Sequence, residues 1–240
     1  MLQQLSEAAH RFFFYLGTND GTLLIRSIEV IFFWVITYMI VSEFLRTKEH
    51  ELRYLAIGFG IFSIEKTILT ISTGLVIFSD VPLKSLPEFV PLMQFGLEML
   101  AIVMLANAFG FSLFKKVEQK FLGSMYLQTG SFLVIIAVVE VFWLNSDVFK
   151  SGGSFAAFWG GALFTSIGMI YLTAAMMITI RGGTQNDKYK INLMLAFLAY
   201  FIALSLRLAN FFFFQGTYGR LYVAEQPLPF ISGLLFMRFV

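Results

Sequence analysis

Residues 191–214 read INLMLAFLAYFIALSLRLANFFFF, and Arg207 is the one charged residue in this run of 24. In lipid, each backbone polar group must be satisfied within its own segment, and about 20 apolar residues in a helix span the hydrocarbon core. The stretch therefore predicts a transmembrane helix that carries a cation. It decides the fold class, because similar apolar runs recur along the rest of the chain.

The composition of the whole chain supports this prediction. Of its 240 residues, 58% are hydrophobic and 13% are charged, whereas a soluble domain carries about 25% charged residues. A soluble protein of this length lacks the interior volume to bury so many apolar side chains. An ordinary soluble enzyme and a disordered chain are therefore excluded, and a net charge of +2 is not typical of a nucleic-acid binder. We expect an all-α, polytopic membrane helix bundle.

Apolar runs of the length of a membrane span occur six times, with polar connections between them. The predicted spans are residues 23–44, 52–78, 87–114, 121–144, 155–180 and 191–214. A seventh run begins at residue 228 and has 13 residues, which is short of a full span at about 1.5 Å per residue. We interpret it as the start of a helix in a longer chain; the alternative is a half-inserted terminal helix packed on the bundle.

Two features outside the spans bear on the domain organisation and the orientation. Apolar residues at helical spacing predict an interfacial segment over residues 1–22, before a bundle over 23–240; a frayed tail is the alternative. The loops after spans one, three and five hold nine lysines and arginines, against five on the opposite side. Because such residues favour cytoplasmic loops, we expect a multi-pass protein of the cell (plasma or inner) membrane with its N-terminus outside.

Four charged residues lie well inside the predicted spans: Glu65, Lys66, Glu98 and Arg207. A charge near the middle of a bilayer costs at least about 2.5 kcal/mol, so it faces the bundle interior or water. These residues are therefore the candidates for ligand binding or for buried ion pairs, and Arg207 with Glu98 is the favoured pair. Adjacent residues point about 100° apart on a helix, so we expect Glu65 and Lys66 to face different helices.

Charges nearer the ends of the spans have a simpler interpretation. Long side chains at Arg26, Glu29 and Glu140 can reach the membrane interface, and Arg26 and Glu29 are one turn apart and can pair locally. For the four inner charges, two interpretations stay open. They line an outward-opening polar cavity for a small ligand or ion, or they form interhelical salt bridges that fix the packing.

The residues for common catalytic and cofactor chemistry are missing from the sequence. There is no cysteine, and the two histidines, His10 and His50, lie outside the predicted spans. This excludes thiolate metal sites and leaves no histidine for haem inside the membrane. The sequence also lacks a His-Glu-x-x-His, a Gly-x-Ser-x-Gly and a phosphate-binding glycine loop. We therefore expect no enzyme activity, no cofactor and no metal.

A weak internal similarity suggests a duplication. A shift of 138 residues lays 52–100 on 190–238 without a gap, so that Phe59 meets Phe197 and Pro91 meets Pro229. Seven of the 49 pairs are identical. The alignment predicts a 3+1+3 repeat, with two parallel halves on either side of the fourth helix, as in some small transporters.

The layout also resembles a known class of receptors. Residues 52–62, LRYLAIGFGIF, follow a charged loop, and residues 96–101 of the third span read GLEMLA. With seven spans and an outer N-terminus, the chain is similar to the seven-helix sensor regions that precede histidine kinase or diguanylate cyclase domains in bacterial receptors. The resemblance implies a sensory or receptor module with an outward-facing polar pocket, coupled to a cytoplasmic output beyond helix seven.

That resemblance also implies a set of partners: the lipid bilayer, a small ligand from the outer side and a cytoplasmic signalling domain. Two other functions fit the residues. The chain fits a non-catalytic subunit of a larger membrane complex, with membrane-protein partners, and it fits a small 3+1+3 transporter. A partnership with nucleic acid is not expected.

Overall fold

The computed structural model describes residues 18–78, 90–113, 118–151, 155, 158–181, 187–214 and 227–237. Over these residues the chain is helical and contains no strand, as its composition predicts. The helices are α1 (Asn19–Thr47), α2 (His50–Phe78), α3 (Val90–Leu113), α4 (Glu118–Asn145), α5 (Asp147–Lys150), α6 (Trp159–Arg181), α7 (Asp187–Phe214) and α8 (Pro227–Met237).

Five of the helices in the described part of the chain are long and apolar enough to cross a membrane, namely α1, α2, α4, α6 and α7. Helix α3 contributes a shorter apolar stretch, Gln94–Ala108. The chain is therefore an all-helical, multi-pass membrane protein. Six complete spans and an outer N-terminus remain predictions.

Helix α1 begins four residues before the predicted start of the first span. The reason is an N-cap, because the side chain of Thr18 accepts a hydrogen bond from the backbone N–H of Gly21 at 3.2 Å and so satisfies a free donor of the first turn. Of the predicted interfacial segment 1–22, residues 1–17 lie outside the described residues, and residues 19–22 belong to α1. Four further residues of α1 thus precede the predicted span.

The chain reverses direction between α1 and α2 within two residues. Lys48 adopts a left-handed conformation with φ 60° and ψ 21°, and its backbone N–H donates to the carbonyl of Phe44. This C-cap satisfies one of the last carbonyls of α1. Because the connection is so short, α1 and α2 pack side by side as antiparallel neighbours.

Six helices form a closed ring. Helix α1 packs on α2, α2 on α3, α3 on α6, α6 on α7, α7 on α8, and α8 packs back on α1. Helix α4 lies outside the ring: it packs against α3, and its Phe132 ring is 5.9 Å from that of Phe164 on α6. One face of α4 carries large exposed apolar side chains that suit contact with lipid, among them Leu133, Val134, Val138, Val141 and Phe142.

The start of α6 corrects the predicted fifth span, which we placed at residue 155. The helix begins at Trp159, and aromatic packing holds Phe155 and Phe158 against α4 ahead of it. The Trp143 ring lies 5.1 Å from the Phe155 ring and 5.3 Å from the Phe158 ring. Both phenylalanines are buried in this contact rather than exposed on a helix.

A glycine allows α3, α6 and α7 to meet closely. A Cβ atom added at Gly168 of α6 would overlap Met99 of α3 and would lie 3.0 Å from a methyl group of Leu204 on α7. Met99 and Leu204 are both fully buried, so neither side chain has free space to move into. Small residues at helix contacts let backbones approach in this way.

This contact predicts that Gly168→Ala destabilises the bundle by about 1–3 kcal/mol, the usual cost of adding a methyl group to a packed core. Thermal unfolding in lipid nanodiscs measures the change. Gly130→Ala on α4 is the matched control, because no atom lies within 4 Å of its added Cβ among the described residues. Equal melting temperatures for the two variants would show that the helices do not meet at Gly168.

Candidate functional site

Five charged residues from four helices form a buried group, which we call the charge cluster. Its members are Glu29 on α1, Glu65 and Lys66 on α2, Glu98 on α3 and Arg207 on α7. The first four are at most 6% exposed, and the Arg207 side chain is 13% exposed. Since ions buried in an apolar medium cost several kcal/mol each unless they are paired, their contacts decide what the cluster can do.

Arg207 and Glu98 form a two-pronged ion pair. Arg207 Nη1 donates to Glu98 Oε2 at 2.6 Å, and Nη2 donates to Oε1 at 3.2 Å. The Tyr200 hydroxyl donates to the same Oε1 at 2.5 Å, and the guanidinium lies 5.0 Å from the centroid of the Phe95 ring. Glu98 therefore accepts three hydrogen bonds, of the charge-assisted kind that is strongest in proteins. This is the pair that the sequence favours.

Lys66 forms looser contacts with two carboxylates. Its ammonium nitrogen is 3.4 Å from Glu65 Oε2 and 3.8 Å from Glu29 Oε2, well beyond the roughly 2.7–2.9 Å of a strong charge-assisted bond. Lys66 thus turns toward α1. The flexible four-carbon stem of lysine lets the ammonium lie near both Glu29 on α1 and its own neighbour Glu65.

The tight pair and the loose group belong to one network. Lys66 interacts electrostatically with both Glu98 and Arg207, and Glu65 interacts with Glu98. The rings of Phe62 on α2 and Tyr200 on α7 pack against each other in a tilted arrangement, with their centroids 5.6 Å apart. Counted over the five members, the cluster contains three carboxylates and two cations.

The sequence reasoning missed Glu29, which we assigned to the membrane interface. The structure buries this residue, at 5% exposed, beside Lys66. The error follows from the start of α1: Glu29 lies ten residues into the helix, about 15 Å along its axis, and not six. The N-cap motif at Thr18 is the signal that could have placed it correctly.

Arg26, also assigned to the interface, contacts α2 instead. Its guanidinium donates to the side chain of Thr73 and to the carbonyl of Leu69. Further along the same contact, Thr37 and Ser63 share a hydrogen bond of 2.9 Å. These bonds hold α1 against α2 above and below the charge cluster.

Glu65 differs from Glu98 in how its charge is accommodated. It is 1% exposed, and neither of its carboxylate oxygens has a hydrogen-bond partner among the residues that the structure describes. The Lys66 ammonium is its close cation among the described residues, and Glu65 shares it with Glu29. Buried polar atoms normally have a partner, so Glu65 is the least satisfied member of the cluster.

Comparisons with known proteins offer no relative from which a function could be inferred, so a proposed function depends on the charge cluster. No protein-family model, curated protein or solved structure matches the chain. Within the described residues, no group of three or more histidine, cysteine or acidic side chains is placed to hold a metal ion. What the cluster offers chemically is a set of ionised groups whose balance changes when a charge is added or removed.

The Glu98–Arg207 pair predicts a large loss of stability on removal of one partner. Breaking a buried pair costs about 3–5 kcal/mol, because the remaining charge stays buried without its partner. We expect Arg207→Gln to lower the melting temperature in nanodiscs strongly, and the double variant Arg207→Gln/Glu98→Gln to recover part of that loss.

A two-pronged arginine–glutamate pair at the surface, within a single helix, provides the control. Arg46 donates to both oxygens of Glu43, at 2.9 and 2.5 Å, but its side chain is 76% exposed. Exposed pairs contribute about 0–1 kcal/mol, so Arg46→Gln should change the melting temperature little. If Arg207→Gln cost no more than Arg46→Gln, the buried pair would not be holding α3 to α7.

Proposed function

We propose that the chain is an integral membrane sensory or receptor module in which the charge cluster is the responding element. The observation that carries the proposal is the placement of the cluster, whose members come from α1, α2, α3 and α7. A change of charge at this point acts on four helices of the ring at once. A stimulus that favours one arrangement of those helices over another shifts the population between them.

The two parts of the cluster suit different roles in such a module. The Glu98–Arg207 pair, with three hydrogen bonds on one carboxylate, is a fixed joint between α3 and α7. The Lys66 contacts at 3.4 and 3.8 Å leave the ammonium room to shift between α1 and α2. With the predicted outer N-terminus, Arg207 lies seven residues from the outer end of α7, about 10 Å along the helix axis, and we propose that a small ligand from outside acts at this depth.

Distances between the inner helix ends test the proposal. Leu45 on α1 and Ile180 on α6 are exposed, at 58% and 60%, and their helices are not neighbours in the ring. Because the chain has no cysteine, Leu45→Cys and Ile180→Cys can be spin-labelled without background. We expect Glu98→Gln/Arg207→Gln to change the distribution of label distances, measured by electron–electron double resonance in nanodiscs.

The control for this experiment is Glu43→Gln/Arg46→Gln, which neutralises an exposed two-pronged pair within α1. It should leave the distance distribution unchanged. An unchanged distribution in both double variants would contradict the proposal. The cluster would then be a static brace, as expected for a non-catalytic subunit of a larger complex.

A small 3+1+3 transporter is the second candidate, and the ring supports it. Exchanging α1, α2 and α3 with α6, α7 and α8 converts each neighbour contact of the ring into another contact that is present. The 138-residue shift pairs Phe62 with Tyr200, and the centroids of these two rings lie 5.6 Å apart. Equivalent residues that touch each other are expected on the axis between two parallel halves.

Labels at the outer end separate the two candidates. Asp20 on α1 and Trp159 on α6 are exposed and mark the ends of these helices opposite to Leu45 and Ile180. Alternating access requires the outer distance to shorten when the inner distance lengthens. A change confined to the inner pair supports the sensory module, and reciprocal changes support the transporter.

A further inference from the structure

We propose that the Glu65 carboxylate binds one small monovalent cation, a proton or Na⁺, inside the membrane. The inference deepens the proposed function, because it names the ion to which the charge cluster responds. In that respect it rests on the proposed function. The binding itself is a property of the site and is tested separately from any movement of the helices.

The first observation is the condition of the Glu65 oxygens. Both are buried, and neither accepts a hydrogen bond of normal geometry from any residue that the structure describes; the Lys66 ammonium lies 3.4 Å from Oε2. Glu98, one helix away, accepts three hydrogen bonds. A buried carboxylate with a single loose ion contact keeps much of its desolvation cost, and a second cation bound to its oxygens lowers that cost.

The second observation is the balance of charge around Glu65. Lys66 faces it from the same helix, Glu29 from α1, Glu98 from α3 and Tyr200 from α7. Arg207 is bound in two places to Glu98. The Lys66 ammonium is thus divided between two carboxylates, so it does not fully offset the charge of Glu65.

Binding has a mechanical consequence through Lys66. A cation on Glu65 weakens its attraction for the ammonium, which is then drawn toward Glu29 on α1, now 3.8 Å away. In the case of a proton, hydronium gives up H⁺ to a Glu65 oxygen, one O–H bond forms, and water is left. The charge state of one carboxyl is thus linked to the contact between α1 and α2.

Infrared difference spectroscopy of the full chain in nanodiscs tests the proton. A protonated, buried carboxylic acid gives a C=O stretch that a carboxylate lacks. We expect wild type to show this band as the pH is lowered, Glu65→Gln to lose it, and Glu65→Asp to keep it at a shifted frequency. Glu43→Gln, at the exposed pair, should leave the buried band as in wild type.

The sodium arm uses the same samples. NaCl is exchanged for choline chloride at constant ionic strength, and thermal unfolding is followed. If Na⁺ is the cation, the melting temperature of wild type should rise by about 3–6 °C when Na⁺ reaches roughly ten times its dissociation constant. Glu65→Gln should lose this dependence, because it lacks the ionised oxygens.

Two results overturn the inference. The first is a wild-type protein that shows neither a protonated-acid band nor a specific effect of Na⁺ on its melting temperature. This result requires no variant, so it counts even if Glu65→Gln fails to fold. The other is a band or Na⁺ effect that survives in Glu65→Gln and disappears in Glu29→Gln, which moves the site to Glu29. Cation binding without a change in label distances would instead leave this inference standing and contradict the sensory function.

Discussion

The cost of burying charge in a hydrocarbon environment is the constraint that the rest of this structure depends on. Lipid tails are as apolar as leucine, so helix association in a membrane gains little from apolar contact and depends on packing and polar contacts. The Glu98–Arg207 pair joins residues 109 positions apart in sequence. It ties α3 to α7, two helices that are not neighbours in the ring, and so fixes which faces of these helices point inward.

Around that pair, the packing follows from side-chain size. Gly168 brings α6 against Met99 and Leu204, and Phe95 lies against the Arg207 guanidinium. The aromatic ring both excludes lipid from the pair and offers its face to the cation. The apolar core around the cluster therefore does more than fill space, since it keeps the dielectric low and makes the pairing strong.

The sequence was sufficient to predict the all-helical class, several helix ends and the tight ion pair. Apolar runs ended the second and sixth spans at residues 78 and 214, where α2 and α7 end in the structure. Charge alone pointed to Arg207 with Glu98, because few opposite charges were deep enough to pair. Errors arose where polar detail sets a boundary: the Thr18 cap starts α1 early, and so Glu29 lies deeper than its position in the apolar run indicated.

The order of the helices in the ring was not predictable in the same way. Helices that are apolar on all sides carry no stripe to mark the face that meets a neighbour, so the exclusion of α4 and the contact of α3 with α6 are not visible in the sequence. The orientation of Lys66 was equally hidden, because a helical wheel places the Cβ atom and not the end of a four-carbon stem.

The carboxylates of Glu98 and Glu65 differ in their hydrogen bonding, and this difference is the feature that a purely structural role explains least well. A brace gains most when each buried ion is fully hydrogen-bonded, since a half-satisfied network costs more than an apolar core. Glu98 meets that condition, with three donors, and Glu65, whose close contact is the Lys66 ammonium at 3.4 Å without a hydrogen bond of normal geometry in the described part of the chain, does not. A responsive site needs both kinds of carboxylate. The loosely held one can change its charge or its contacts, and the firmly paired one transmits that change to the helices that it joins.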